Sequence, residues 1–499
     1  MSSGAKFKDS ELVIGLVGAV GTELKKVIGI LSERLKKFDY EAKEIRVSSD
    51  IISLIPDQGA SYKEDDEYDR IDTLMTAGNK AREISGDNSV LALGAAAKIS
   101  EGRLEDDPLR KRTVYIINSL KRPEEVTRLR DIYSEGFFLI GIYSSESRRF
   151  DYLSEDKDID CENAKKLIER DADEDTEFGQ RTRDTFHLSD FFIYLNDNND
   201  EIKSSIWRVL DICFGHPYTT PTFNEWAMFI AFSAALRSAD LSRQVGAAIT
   251  KNDQILATGS NDCPKYGGGL YWPEYNNSNH KIEDIQNGRD YTRGEDSNDI
   301  EKEKIINDII NQLKPLGVDE GKLVEAINKT KIDDITEYGR VVHAEMDALL
   351  SCARNNISSK GATLYCTTFP CHNCAKHIIA AGIKRVVYVE PYPKSKAAKF
   401  HDDSIALDFS RERGGKKKVY FEPFVGVGPR RFLDLFSMKL GSGYPLIRKE
   451  KSGKIVKWVM KQANLRIPML PTSYLERETL AADLFLKYQK GERDEQKES

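Results

Sequence analysis

VVHAEMDALLSCARN (341–355) and TLYCTTFPCHNCAKHIIAAG (363–382) contain two short segments on which the fold turns. They are His343-Ala344-Glu345 and Pro370-Cys371-His372-Asn373-Cys374. The first stretch reads as a helix. The second reads as a strand, TLYCTT (363–368), followed by a helix from Cys371 that Gly382 ends. Cys371 and Cys374 are three apart at a helix start, so both sulfurs can point the same way. Pro370 is tolerated there because a first-turn N–H has no intrahelical partner. The partial positive charge of a helix N-terminus favours thiolates. Two thiolates on one turn make half of a tetrahedral zinc site.

A CxxC alone is ambiguous: it serves redox pairs and structural zinc sites equally. A structural site needs two more protein ligands, and no second CxxC exists in the chain. His343 can supply a third ligand. The fourth position then stays open for water, as a catalytic zinc requires. Glu345 lies two residues beyond His343, at the helix entry, where both side chains can approach one metal. A carboxylate beside such a water can take its proton and deliver it to a substrate.

Around this centre, the expected elements are a helix at 226–242, a hairpin at 244–261, strands at 385–392 and 418–426 and a helix at 395–407. The segment 276–335 is polar and charge-rich, and reads as an insertion with its own helices, one at 304–313. The N-terminal half alternates strands (12–18, 113–120, 137–145) with helices (22–38, 124–136, 203–215). Continuous apolar strands joined by helices point to a parallel sheet covered on both faces. GHPYTTPT (215–222) reads as a linker. The expected organisation is therefore a domain at 1–214, a linker at 215–222, a second domain at 223–470, and a C-terminal helix with a frayed tail at 471–499.

GLVGAVGTELKK (15–26) joins the first strand to the first helix, where a phosphate loop would lie. Such a loop reads G-x-x-x-x-G-K-[ST]. If Thr22 takes the Ser/Thr position, Gly21 stands where the lysine should be. Gly15, Gly18, Gly21 and Thr22 remain candidate nucleotide-binding residues, because backbone N–H groups at a helix start can cradle an anion. Phosphate transfer is not expected of them; a bound nucleotide or a plain turn is.

The formal net charge of the 499-residue chain is −7, which favours small ligands over a polynucleotide gripped by its backbone. The basic run 411–418 reads as solvated surface. Seven cysteines, an odd number, and the absence of an export signal fit a reducing cytoplasm. No apolar stretch is long enough to span a bilayer.

The H-x-E…P-C-x-x-C pattern is the signature of zinc nucleobase deaminases. With SADLSRQVGAAITKNDQILATGSND (238–262) and VVYVEPYPKSKA (386–397), the chain resembles the cytidine and deoxycytidylate deaminase superfamily. It looks most like long two-domain anti-phage members that act on deoxycytidine nucleotides. GLVGAVGTEL (15–24), DRIDTLMTAGNKARE (69–83), INSLKRPEEVTRLRDIY (117–133), RDADEDTEFGQRTRDTF (170–186) and EPFVGVGPRRFLDLF (422–436) extend that likeness.

The resemblance implies an α/β chain: an N-terminal P-loop kinase-like domain with a parallel sheet, and a C-terminal deaminase-like α/β/α domain. It implies Zn2+ on His343, Cys371 and Cys374, Glu345 as proton carrier, and Asn261 holding the sugar. The implied reaction is hydrolysis of dCTP or dCMP to dUTP or dUMP and ammonia, depleting nucleotides during phage infection. Housekeeping dUMP supply and deamination of RNA or DNA bases are the alternatives. A homo-oligomer, with a hexamer as one candidate state, and restraint by an inhibitory RNA or another regulator are also implied. Lys394 and Ser395 begin a helix after a strand and are candidate phosphate contacts, with Arg430 and Arg431 as second candidates. Cys263 or His280 is a candidate ligand of a second, structural zinc.

Overall fold

The structure, a computed structural model, describes residues 9–55, 66–103, 109–172, 178–317, 319–328, 330, 332, 335, 337–390, 395–407 and 418–490. The chain divides into two compact units, Met1–Glu225 with Val425–Ser499, and Trp226–Phe424.

In the first unit, β1 (Leu12–Gly18) leads to α1 (Leu24–Lys37), β2 (Glu41–Arg46), α2 (Glu67–Ser85) and α3 (Val90–Glu101). Next come β3 (Thr113–Asn118), α4 (Pro123–Tyr133), β4 (Phe137–Ser144), α5 (Glu146–Asp151) and α6 (Cys161–Ala172). The short α7 (Thr182–Phe186), β5 (Phe191–Leu195) and α8 (Asn199–Cys213) follow. The five strands are parallel, in the order β5-β4-β1-β3-β2. Every residue of β1 is buried, because the sheet has a core on each face. Val13 and Val17 join one apolar cluster, with α3 and α4; Leu12, Ile14 and Leu16 join the other, with α1 and α8. The two-residue period of a strand makes that division. In α1, Val27, Ile28, Leu31 and Leu35 form the buried stripe.

The second unit takes in most of α9 (Phe223–Ala235), then β6 (Gly246–Lys251) and β7 (Gln254–Ser260). A hairpin of β8 (Glu274–Asn276) and β9 (Lys281–Glu283) precedes α10 (Asp290–Arg293), α11 (Ser297–Leu313) and α12 (Glu320–Asn328). The polar segment 276–335 thus does carry helices of its own. α13 (Ala344–Arg354), β10 (Thr363–Thr368), α14 (His372–Ala380) and β11 (Arg385–Glu390) come next. α15 (Ala397–Phe400), β12 (Ile405–Ala406) and β13 (Val419–Pro423) complete the unit. Its sheet runs β12-β13-β11-β10-β6-β7, parallel from β12 to β10 and antiparallel at β6 and β7.

Two glycines let helices settle on this sheet. Ala247 pairs with Gly259, and Gly246 with Ser260, so the two glycines face opposite ways. A Cβ at Gly259 would stand 2.2 Å from the Ala344 carbonyl oxygen and 2.4 Å from the Ala348 nitrogen, both in α13. A Cβ at Gly246 would stand 1.9 Å from the Ala231 carbonyl oxygen of α9. α9 and α13 therefore cover opposite faces, which makes the layer order α/β/α.

β14 (Gly426–Val427), α16 (Phe432–Phe436) and α17 (Pro471–Gln489) belong to the first unit. The second domain expected at 223–470 instead ends at Phe424. The physical reason lies in the first unit's core, where Val427, Leu435, Ala463, Leu465 and Ile467 join the α1 and α8 side. Arg431 adds a buried clamp. Its Nε lies 3.3 Å from the Asp190 carboxylate, and its Nη2 donates to the Phe137 carbonyl at 3.0 Å. Arg431 is thus a structural residue, not a phosphate contact.

The expected strand at 418–426 is two short strands in different sheets, paired to β11 and to β5. The expected helix at 395–407 is only α15, because Ile405 and Ala406 pair with Val419 and Tyr420 instead. The expected helix at 226–242 ends at Ala235, where the Ser238 hydroxyl turns to donate to the Asn261 carbonyl at 2.6 Å.

Gly259→Ala is expected to lift α13 from β7, lowering stability by about 3 kcal/mol and lowering metal content. Denaturant unfolding with metal analysis checks this; unchanged stability would contradict the close approach.

Candidate metal centre

His343 is the N-cap of α13, with extended backbone angles (φ −67, ψ 150). Because its backbone has not yet entered the helix, its side chain is free of the helical wheel. That is how His343 and Glu345, only two positions apart, line the same cleft. Two backbone hydrogen bonds between Asp262 and Val342 fix the approach to His343, at 3.3 and 3.0 Å. Asp347, one turn into α13, accepts from the Ser260 N–H of β7 at 3.3 Å.

Cys371 is the N-cap of α14, and its sulfur accepts from the Cys374 N–H at 3.4 Å. The parallel β10–β11 pair sets the end of β10 from which this loop departs. The Cys371 and Cys374 sulfurs lie 3.4 and 3.3 Å from His343 Nδ1. All three potential ligand atoms fall within 4.8 Å of one another, the one such group among the described residues.

The electrostatics fit a cation seat. The Cys374 thiol and the His343 ring, both hydrogen-bonded to the Cys371 sulfur, hold the Cys371 thiol down at about 3. The same contact with Cys371 lifts His343 to about 9 and raises Cys374. Burial pushes the Glu345 carboxyl above the usual carboxylate range, against the pull of His343. Cys366, in β10, stays a neutral thiol because burial raises it far above the usual range. It is not part of the ligand group.

The site opens on a cleft of about 630 Å³. Asn261 lines it, but its amide also braces the loop before β6. Oδ1 accepts from the Val245 N–H at 2.6 Å, and Nδ2 donates to the Arg243 carbonyl at 2.8 Å. Ser395 donates to the Pro370 carbonyl at 2.8 Å, tying α15 to the cysteine loop. Lys394 lies outside the described residues. Lys396 and Arg243 line the cleft and were not singled out from the sequence. Asp290, Asp296 and Asn298 also line it, so the insertion contributes a wall. A charge-rich segment gives no periodic signal for such a role. Cys263 is buried, whereas His280 contacts Tyr275 beside the exposed β8–β9 hairpin. No second three-ligand group exists among the described residues.

In the first unit, Gly15 lies inside β1, where a Cβ would stand 2.8 Å from Leu120 and Phe137. It is a packing glycine, not a loop residue. Gly18 ends β1, and Gly21 (φ +82) makes the turn to α1. Gly21 and Thr22 line a separate cleft in this unit.

The model of the cytidine and deoxycytidylate deaminase zinc-binding region matches residues 221–390. The deoxycytidylate deaminase of enterobacteria phage T4 is 35% identical over 170 residues, 34% of this chain and 77% of that protein. The human deoxycytidylate deaminase is 38% identical over 78 residues, 16% of this chain and 38% of that one. A crystal structure of dCMP deaminase from cyanophage S-TIM5 aligns with 41% of this chain and 100% of its own, at 20% identity and a TM-score of 0.23. The chain belongs to the cytidine and deoxycytidylate deaminase family and is a zinc-binding hydrolytic enzyme.

One imidazole and two thiolates are a zinc donor set with a fourth position to spare. Metal must displace protons from His343 and Cys374, so uptake near pH 7 is expected to release about two protons. Affinity should therefore fall as pH drops below the His343 value of about 9. Zinc titration calorimetry in buffers of different ionisation enthalpy checks this; a buffer-independent heat would contradict it.

Proposed function

We propose that the second unit hydrolyses the 4-amino group of free deoxycytidine nucleotides, taking dCTP or dCMP to dUTP or dUMP and ammonia. The observation that carries this reading is the opening of Glu345, His343 and Cys371 on one cleft, with Cys374 completing the ligand group behind them. His343, Cys371 and Cys374 would hold the zinc, which would supply the Lewis acidity that brings the pKa of water to about 7.

Glu345 moves the protons. It is buried, so its carboxylate is poorly solvated and takes a proton from water readily. It returns that proton to the ring nitrogen as water oxygen bonds to C4. Glu345 then carries the proton of the new C4 hydroxyl to the amino group, so that the C4–N bond breaks, the oxygen becomes the product carbonyl and ammonia leaves. Water enters, ammonia departs, and no electron changes hands. The Asn261 brace orients the wall against which the sugar would lie, and Lys396 and Arg243 are the cations on the cleft for a phosphate.

The cleft also carries Asp240, Asp290, Asp296 and Glu337. Two cations, Arg243 and Lys396, among these four carboxylates leave this cleft without the basic track that a polynucleotide backbone needs. The named relatives favour dCMP as one substrate, and housekeeping dUMP supply is the second reading on that ground. The likeness of residues 15–24 and 117–133 to two-domain anti-phage members supports a P-loop kinase-like first unit and a role in nucleotide depletion. The same likeness supports a homo-oligomer under a regulator.

Deamination of dCTP, dCMP, cytidine and single-stranded DNA by the purified chain tests the reading. Turnover confined to the polymer would overturn it. Glu345→Ala is expected to lower turnover by at least about 10²-fold while zinc stays bound.

A further inference from the structure

The loop between β1 and α1 lacks the lysine of a phosphate loop, yet a lysine reaches it from elsewhere in the same unit. β1 lies between β3 and β4, and the chain adds strands first on one side of it and then on the other. Ligands of open α/β sheets bind beyond the carboxyl ends of the strands at such a reversal. Lys121, just past β3, extends into this place. Its Nζ donates to the Gly18 carbonyl at 2.9 Å and to Asp171 Oδ1 at 2.7 Å. Asp171, near the end of α6, accepts from the Val20 N–H through its other oxygen at 2.9 Å. Asp171 is 1% exposed. A loop N–H and a lysine, two donors that a phosphate loop offers, thus converge on one anion, a carboxylate.

The cleft around them has a volume of about 500 Å³. Lys25, Arg46, Arg70, Arg82, Lys121 and Lys157 line it against three acidic residues, Glu67, Glu125 and Asp171. Arg82 is 1% exposed, and Glu125 accepts from its Nη2 at 2.9 Å. The Arg82 Nε–H has no acceptor among the described residues. A buried donor without a partner is costly, and more so on a cation. Ile52, Ile71, Leu74 and Met75 add apolar side chains to the lining.

We propose that this cleft binds a nucleoside polyphosphate, with Lys121 standing in for the missing loop lysine and Asp171 holding the phosphate's place until displaced. This rests on reading residues 15–22 as a phosphate loop. The apolar wall takes the base, and the cations take the phosphates. Asp171 competes with the ligand for Val20 N–H and Lys121, so it weakens binding. An asparagine at 171 would still accept from Val20 but would no longer repel a phosphate.

Titration of the full, zinc-loaded chain with ATP and with inorganic tripolyphosphate tests this, since neither ligand carries a cytosine. Asp171→Asn is expected to bind ATP at least about fivefold more tightly than the unaltered chain, and Lys121→Ala at least about tenfold more weakly. Retained dCMP deamination and an unchanged melting temperature would show that the variants fold. If Lys121→Ala does not fold, Lys121→Ala/Asp171→Ala removes both charges together. It should bind at least about tenfold more weakly than Asp171→Asn. Tripolyphosphate binding as tight as ATP would overturn the nucleoside assignment. Binding indifferent to Lys121 would overturn its role but leave the loop reading standing. No binding to the unaltered chain or to Asp171→Asn would overturn both.

Discussion

Two sulfurs and an imidazole held within 4.8 Å of one another are the constraint on which the second unit depends. Such groups do not gather unaided: two thiolates repel, and burial disfavours each charge. The fold brings them together by ending two elements at one point. α13 begins at His343 and α14 at Cys371, and the α14 N-terminus turns the Cys374 N–H toward the Cys371 sulfur. Glu345 lies in the first turn of α13. The position of α13 is set in turn by contact with a strand that has no side chain at Gly259. A backbone-to-backbone approach is stiffer than one through flexible side chains, so the His343 ring inherits the rigidity of β7.

The same logic explains the thiol that is not a ligand. Cys366 lies in β10, buried in the sheet before the cysteine loop, and burial keeps it protonated. Cys371 lies beyond the strand, at a helix start, where the Cys374 thiol, the His343 ring and the Cys374 backbone N–H all meet its sulfur. Two cysteines a few positions apart thus differ in charge state because one is buried in a strand and the other is given these partners at a helix start. Ligand identity follows from element boundaries as much as from residue type.

Those boundaries explain what was legible in the sequence. His343, Glu345, Cys371 and Cys374 could be read because their chemistry depends on short spacings and on a local helix start. The parallel strands of the first unit could be read from unbroken apolar runs such as LVIGLVG. The course of residues 425–470 could not. Its apolar residues are scattered among loops, and the Arg431–Asp190 clamp joins positions far apart in the chain. Lys396, Arg243 and the insertion wall were invisible for the same reason. Asn261 and Ser395 were noticed, but their hydrogen bonds to backbone carbonyls and N–H groups leave no mark on the sequence.

In the site proposed at the loop 15–22, the cation is supplied in space and not by the next residue of the motif. A phosphate loop needs a cation near its backbone N–H groups; it does not need that cation to be the next residue. In a parallel sheet the carboxyl ends of neighbouring strands lie side by side, about 4.8 Å apart. A lysine just after β3 therefore starts almost as near the loop as one at the head of α1. Lys121 spans the remainder and donates to the Gly18 carbonyl, at the end of β1 itself. Gly21 is then free to meet a different demand. A Cβ there would stand 2.7 Å from the Arg149 carbonyl oxygen, and its φ of +82 suits glycine. Gly21, where a phosphate loop would have its lysine, is a position where the packing excludes one, and in the proposed site the charge enters from the adjacent strand.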